Sequence, residues 1–220
     1  MIKTCIFDLD GTLLNTITTI TYYVNLTLKD FDLPPITEEE CKVFIGDGAR
    51  ALIERTLKSK GVSDRAFTNE ALARYSEKYN SDPYYLTEIY EGVPELIERL
   101  KNDGVKLAVL SNKPHETTFQ VIDRFFPNVF ECVRGGSSNI PLKPEPDGAL
   151  EILRELSSQA AECAFIGDTA VDILTAKNMG AALGVGVLWG FRGKEELILA
   201  GADAVVADKD ELLLALGGAR

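Results

Sequence analysis

Seven residues carry the chemistry this chain offers: Asp8, Asp10, Ser111, Asn112, Lys143, Asp168 and Asp172. Asp8 and Asp10 stand two apart in Asp8-Leu9-Asp10-Gly11-Thr12, and Asp172 follows Asp168 by one helical turn. Four acids that meet in one cleft repel one another strongly. A hard divalent cation relieves that repulsion, and magnesium favours oxygen ligands while keeping some waters. Lys143 and the donors of Ser111 and Asn112 suit a phosphate. A metal, a phosphate cradle and a free carboxylate together point to phosphoryl transfer.

These residues are useful only if the fold brings them to one place. Ile2–Phe7 reads as a short buried strand that ends at the Asp8–Thr12 turn. Val105–Leu110, Val129–Val133, Cys163–Ile166, Gly184–Leu188 and Asp203–Val206 read as further strands. Helical patterns separate them over His115–Phe126, Asp147–Leu156, Val171–Met179, Lys194–Ala200 and Lys209–Leu216. Another helix, opened by Pro94 and closed by Gly104, precedes Val105. This alternation predicts an α/β fold, a doubly wound and mostly parallel sheet. In such a sheet ligands bind at the carboxyl ends of the strands. All seven residues fall at or just after such ends.

Between about Asn15 and Pro83 the alternation stops. Ile17, Ile20, Val24, Leu28 and Phe31 form one helical stripe, ended by Pro34 and Pro35. Thr37 and Glu40 have capping-box spacing. Ala49–Leu57 and Glu70–Tyr79 are also helical in pattern. The chain therefore reads as a core of residues 1–14 and 84–220 with a helical cap, 15–83, inserted after the first strand.

Composition excludes several other readings. The 220 residues carry a net charge of -11, which disfavours nucleic acid and anionic membranes as partners. No apolar run is long enough to span a bilayer, and Met1–Phe7 is too short for a secretory signal, so a cytoplasmic protein is expected. The four cysteines, Cys5, Cys41, Cys132 and Cys163, form no CxxC pair, which argues against structural zinc. Six positions beyond them stand Gly11, Asp47, Ser138 and Thr169, none of them the Arg of a thiol phosphatase. With one histidine, His115, a His-cluster metal site is excluded, and the chemistry falls to carboxylates.

Phe7-Asp8-Leu9-Asp10-Gly11-Thr12-Leu13 resembles the first motif of the haloacid-dehalogenase superfamily. Ser111, Lys143 and Gly167-Asp168-Thr169-Ala170-Val171-Asp172 resemble its second, third and fourth motifs, and the likeness covers the whole chain, cap included. The resemblance implies a magnesium-dependent phosphatase in which Asp8 attacks phosphorus and becomes an aspartyl-phosphate. Asp10 would protonate the leaving alcohol and then take a proton from the hydrolytic water. Ser111 and Lys143 would hold phosphoryl oxygens, with a backbone donor from Asn112. Asp8, the carbonyl of Asp10 and Asp168 would bind Mg2+, with Asp172 supporting the metal directly or through water. Asp10 argues for phosphate esters over dehalogenation, which needs no such acid. Asn15, where many relatives carry Asp, departs from the pattern and is expected to affect the hinge or cap.

Within the superfamily the chain is similar to phosphoglycolate phosphatases. The likeness rests on Gly46-x-Gly48, Ser111-Asn112-Lys113-Pro114, Lys143-Pro144-Glu145-Pro146, Trp189-Gly190-Phe191-Arg192 and Ala200-Gly201-Ala202-Asp203. The expected substrate is a small phosphate ester, 2-phosphoglycolate foremost, with Gly46, Gly48 and Arg50 as cap residues that set specificity. Related branches act on pyrophosphate or sugar phosphates, including β-phosphoglucomutases, though the cap loop has no basic cluster for a sugar bisphosphate. A phospho-receiver would share the acids, hydroxyl and lysine but needs no leaving-group acid and no cap. A catalytically idle binding protein would not need the complete motif set. A monomer or homodimer is expected.

Overall fold

Among the described residues, the strands of the computed structural model are β1 (Thr4–Phe7), β2 (Leu14–Asn15), β3 (Glu88–Ile89), β4 (Lys106–Pro114), β5 (Cys132–Gly136), β6 (Cys163–Gly167), β7 (Leu183–Val187) and β8 (Ala204–Val206). The helices are α1 (Ile17–Lys29), α2 (Glu38–Phe44), α3 (Gly48–Ser59), α4 (Arg65–Ser81), α5 (Val93–Asn102), α6 (His115–Phe125), α7 (Asp147–Glu155), α8 (Ala170–Asn178), α9 (Lys194–Ala200) and α10 (Lys209–Ala215). Residues 1–137 and 139–217 are described. By compactness the chain divides into two units, Met1–Asn15 with Ile89 onward, and Thr16–Glu88. The short strands β2 and β3 pair with each other.

The core unit is a six-stranded sheet in the order β5-β4-β1-β6-β7-β8, parallel at every pairing. β1 lies between two neighbours, so all four of its residues are buried, the polar Thr4 with Cys5, Ile6 and Phe7. Phe7 registers with Val109 on one side and Ile166 on the other. Helix α7 turns Ala149, Ile152 and Leu153 inward, and they join Ile6, Leu110 and Phe165 in the core. Helix α5 buries Val93, Leu96, Ile97 and Leu100 with the same spacing, opened by Pro94 in its first turn. The strand expected over Val129–Val133 begins instead at Cys132. Asn128 takes a positive φ of 58°, and Phe130 packs its ring against Phe7 and Phe126. An apolar residue there fills space beside the sheet and does not extend it.

The helical unit is built on different side chains. The buried stripe of α1 includes Ile17, Ile20, Val24 and Leu28. Tyr23 meets Tyr79 edge to face, and Tyr79 lies tilted against Tyr75. Thr37 and Glu40 form the capping box of α2. Asn25 holds the turn after Pro34-Pro35 by bonding both the N–H and the C=O of Ile36. Helix α4 starts five residues before the expected Glu70, because Asp64 caps it by accepting the Phe67 N–H at 2.7 Å. Pro83–Glu88 lies with this unit, where Thr19 bonds the Tyr85 carbonyl and the Thr87 hydroxyl. No helix among the described residues is long and apolar enough to cross a membrane.

Candidate active site

The chain leaves β1 for β4 and β5 on one side, then returns to β6, β7 and β8 on the other. That reversal puts the switch point of the sheet at β1, where the carboxyl ends open a crevice. Asp8 follows β1, Ser111 to Lys113 lie at the end of β4, and Asp168 follows β6, so three adjacent strands deliver them to one edge. Asp8, Asp168 and Asp172 are buried, and each offers a carboxylate oxygen within 4.8 Å of the others. Lys143 reaches into this cluster with its ammonium 2.7 Å from Asp8 Oδ1 and 2.6 Å from Asp172 Oδ1. Burial pushes the Asp8 carboxyl up to about 7, with Lys143 pulling down and Asp172 pushing up. Burial, then Asp172 and Asp8, also hold Asp168 well above the usual carboxylate range. Burial alone would lower Lys143, but Asp172 and Asp8 outweigh it and keep the ammonium charged.

The surrounding backbone fits closely around the acids. Gly11 has a φ of +91°, and a Cβ there would fall 2.3 Å from an Asp168 oxygen. A Cβ on Gly190 would meet the Cβ of Asp168 at 2.3 Å. Phe191 donates its N–H to Asp168 Oδ2 at 2.8 Å, and Thr12 donates its hydroxyl to Oδ1 at 3.3 Å. Trp189 fixes Thr12 in turn through its indole N–H and the Thr12 carbonyl. Asp172 is engaged at both oxygens, Oδ1 by Lys143 and Oδ2 by the N–H and hydroxyl of Thr169, which it caps. The sequence reading missed the role of Trp189-Gly190-Phe191, because the loop after β7 is far from Asp168 in the chain.

Ser111, Asn112 and Lys113 are buried at the end of β4. The Asn112 side chain clamps the main chain of Lys143, donating to its carbonyl at 3.0 Å and accepting its N–H at 2.8 Å. Lys143 is therefore aimed from β4 although it stands 31 residues away. Lys113 places its ammonium 2.6 and 2.8 Å from the two oxygens of Asp10. The Asp10 carboxylate thus stands outside the three-acid cluster and faces a lysine of its own. The signal for Lys113 was its spacing from Ser111, since residues two apart on a strand share a face. The Tyr90 phenol is also missing from the sequence-derived set; burial, then Asp168 and Asp10, raise its pKa.

Gly46, Gly48 and Arg50 lie in the helical unit, at the junction of α2 and α3. Gly46 and Gly48 have φ of 117° and 87°, which only glycine adopts readily. Arg50 lies along α3, bonding Asn69 Oδ1 at 3.1 Å and lying 3.6 Å from Glu54. Arg55, not singled out in the sequence, braces the junction by donating to the Phe44 carbonyl and to Asp47. His115 opens α6 and accepts the Gly135 N–H on Nδ1. All four cysteines are free and buried, and burial pushes Cys41 and Cys132 up to about 11, unsuited to thiolate chemistry.

The donor set fits a hard cation. Three buried carboxylates face one ammonium, an excess of negative charge that oxygen-seeking Mg2+ would neutralise. A family model described as haloacid dehalogenase-like hydrolase matches residues 5–185. A phosphoglycolate phosphatase of Haemophilus influenzae is 32% identical over 218 residues, covering 96% of each chain. Phosphoglycolate phosphatase 1 of Pseudomonas aeruginosa is 34% identical over 179 residues, spanning 79% of this chain and 65% of that protein. The crystal structure of a candidate phosphoglycolate phosphatase from Lactobacillus delbrueckii subsp. bulgaricus superposes with a TM-score of 0.93 at 29% identity, over 97% of this chain and 98% of that one.

Proposed function

The chain belongs to the haloacid dehalogenase-like hydrolase family and is a phosphatase, and on that footing we propose that it hydrolyses a small phosphate monoester, 2-phosphoglycolate foremost, through an aspartyl-phosphate on Asp8. The observation that carries this reading is the divergence of two carboxylates two residues apart. Asp8 sits in the acid cluster against Lys143, while Asp10 faces Lys113. Asp8 is thus placed for attack beside the acids that would hold a cation, and Asp10, outside that cluster, is left to exchange the proton, entering the first step in its protonated form.

In the first step an Asp8 oxygen bonds to phosphorus, the ester P–O bond breaks, and the leaving alkoxide takes a proton from Asp10. In the second, water gives a proton to the Asp10 carboxylate and bonds to phosphorus. The Asp8–phosphorus bond then breaks, returning Asp8 and releasing inorganic phosphate. Lys143 and the Ser111 hydroxyl hold phosphoryl oxygens, with an N–H from Asn112. Asp8, Asp168 and the main-chain carbonyl of Asp10 are the ligands we assign to Mg2+, which when bound neutralises phosphoryl charge. Asp172 supports that site by holding Lys143 and by closing the capping box of α8 with Thr169.

We assign the helical unit the role of a cap that excludes water from a small substrate. Gly46, Gly48 and Arg50 are its specificity residues. The deciding measurement is kcat/KM, with and without Mg2+, for 2-phosphoglycolate, pyrophosphate, sugar phosphates and a phosphopeptide. Magnesium-dependent turnover highest for phosphoglycolate is expected. A preference for pyrophosphate or a sugar phosphate would replace the substrate and leave the Asp8 chemistry standing. No turnover of any of them would overturn the proposal.

A further inference from the structure

The proposed steps leave one buried cation at the rim without a task. The Lys113 side chain is 5% exposed, against 19% for the Asp10 it contacts. Desolvating an ammonium costs several kcal/mol, so its position calls for a reason. Its main chain is held firmly: the Lys113 N–H meets Ser111 Oγ at 3.2 Å, and its carbonyl accepts the Thr118 hydroxyl at 3.1 Å. Gly135 of β5 lies so close that a Cβ there would come within 2.6 Å of that carbonyl. The backbone beneath the ammonium is therefore fixed before any ligand arrives.

The ammonium stands where the leaving group must be. A leaving-group acid touches the ester oxygen, and Lys113 touches both oxygens of that acid. Two hydrogen bonds of about 2.7 Å that share a carboxylate oxygen put their outer atoms roughly 4–5 Å apart. A carboxylate attached one carbon beyond the ester oxygen spans that gap. Charge argues the same way. An anionic leaving group enters a rim with four aspartates on a protein of net charge -11, and Lys143, held between Asp8 and Asp172, is assigned to the phosphoryl group in the proposed reaction. Lys143 also demonstrates the geometry, one buried ammonium bridging two carboxylates at 2.7 and 2.6 Å.

We propose that Lys113 is a specificity-determining residue that receives a carboxylate carried by the leaving alcohol, bridging it to Asp10. The proposal rests on Asp10 being the leaving-group acid, and it gives the small-ester reading a residue that selects the anion. Bond making and breaking at phosphorus are unchanged by it.

The test compares 2-phosphoglycolate with its neutral amide, an ester of the same shape, in the wild-type protein and in Lys113→Met and Lys113→Arg. A hydrogen bond between charged groups is worth about 10- to 100-fold. The wild-type protein should prefer the acid. Lys113→Met should lower that preference at least about tenfold, mainly through KM for the acid, and Lys113→Arg should keep part of it. Loss of Asp10's partner slows both esters alike, so the ratio isolates the carboxylate contact. A wild-type ratio retained in Lys113→Met overturns the proposal and leaves the phosphatase reading intact. A wild-type protein indifferent to the carboxylate overturns this proposal and the phosphoglycolate reading together. If Asp10→Asn leaves alkyl ester cleavage unimpaired while Lys113→Met still changes the ratio, the acid role is wrong and the anion site stands. Should Lys113→Met not fold, Lys113→Gln, which keeps the stem and a donor without the charge, gives the same comparison.

Discussion

The two units bury polar groups in opposite ways. Among the described residues of the helical unit, the buried polar side chains other than tyrosine are all threonines, Thr16 to Thr87. The core buries Asp8, Lys113, Lys143, Asp168 and Asp172. A helical threonine satisfies its hydroxyl cheaply on the carbonyl one turn back, as Thr27 does on Tyr23 and Thr68 on Asp64. A buried carboxylate has no such local remedy and loses stability unless a cation offsets it. The buried polar groups of the helical unit are thus uncharged hydroxyls, some of them, such as Thr16 and Thr56, without a hydrogen-bond partner, whereas the core holds an uneven charge balance that makes sense only as chemistry.

The contrast breaks most sharply at Asp8. Asp8→Asn should lower turnover by at least about 10⁴-fold, because an amide is a poor nucleophile, while circular dichroism shows a folded protein. Near-normal turnover in that variant would remove Asp8 from the reaction. The same variant tests the charge imbalance. Burial raises the Asp8 carboxyl from 3.8 to about 7, so the folded state binds its proton more tightly than the unfolded chain. Stability of the metal-free protein therefore falls as pH rises through that interval. The melting temperature of Asp8→Asn relative to wild type, in chelator, should improve between pH 4 and 7. A difference independent of pH would show that Asp8 is not strained.

Lys143 comes next. Lys143→Met removes the cation from two buried carboxylates and should cost roughly 3–5 kcal/mol in denaturant unfolding of the metal-free protein. Turnover should also fall, and added Mg2+ should recover more of the stability than of the turnover. An unchanged unfolding midpoint would mean that the acids are solvated or neutral without it.

Asp10→Asn should slow phosphorylation of the enzyme more for an alkyl phosphate than for p-nitrophenyl phosphate, by about 10²-fold or more, because nitrophenolate leaves without a proton. Single-turnover measurement is needed, since hydrolysis of the aspartyl-phosphate should slow as well. Equal slowing of the first step for both esters would strike out the acid role. The smallest effect belongs to the helical unit. Thr37→Ala breaks the capping box of α2 and should cost about 1 kcal/mol, with kcat/KM for p-nitrophenyl phosphate within about twofold of wild type. A large loss of turnover there would show that the helical unit is coupled to the chemistry through α2.

Periodicity and local rules determined much of this protein. The buried strands β1 and β6, the stripe of α1, the capping box at Thr37 and the alternation of strand and helix were legible because each depends on neighbours a few residues apart. So were the acids at the ends of β1 and β6, since a parallel sheet presents its ligands there. Tertiary structure alone decided how those residues are held. Asn112 aims Lys143 across 31 residues, Phe191 orients Asp168 across 23, and Lys113 meets Asp10 across 103. Such partners leave no periodic trace, because a hydrogen bond depends on positions in space that only the strand order brings together.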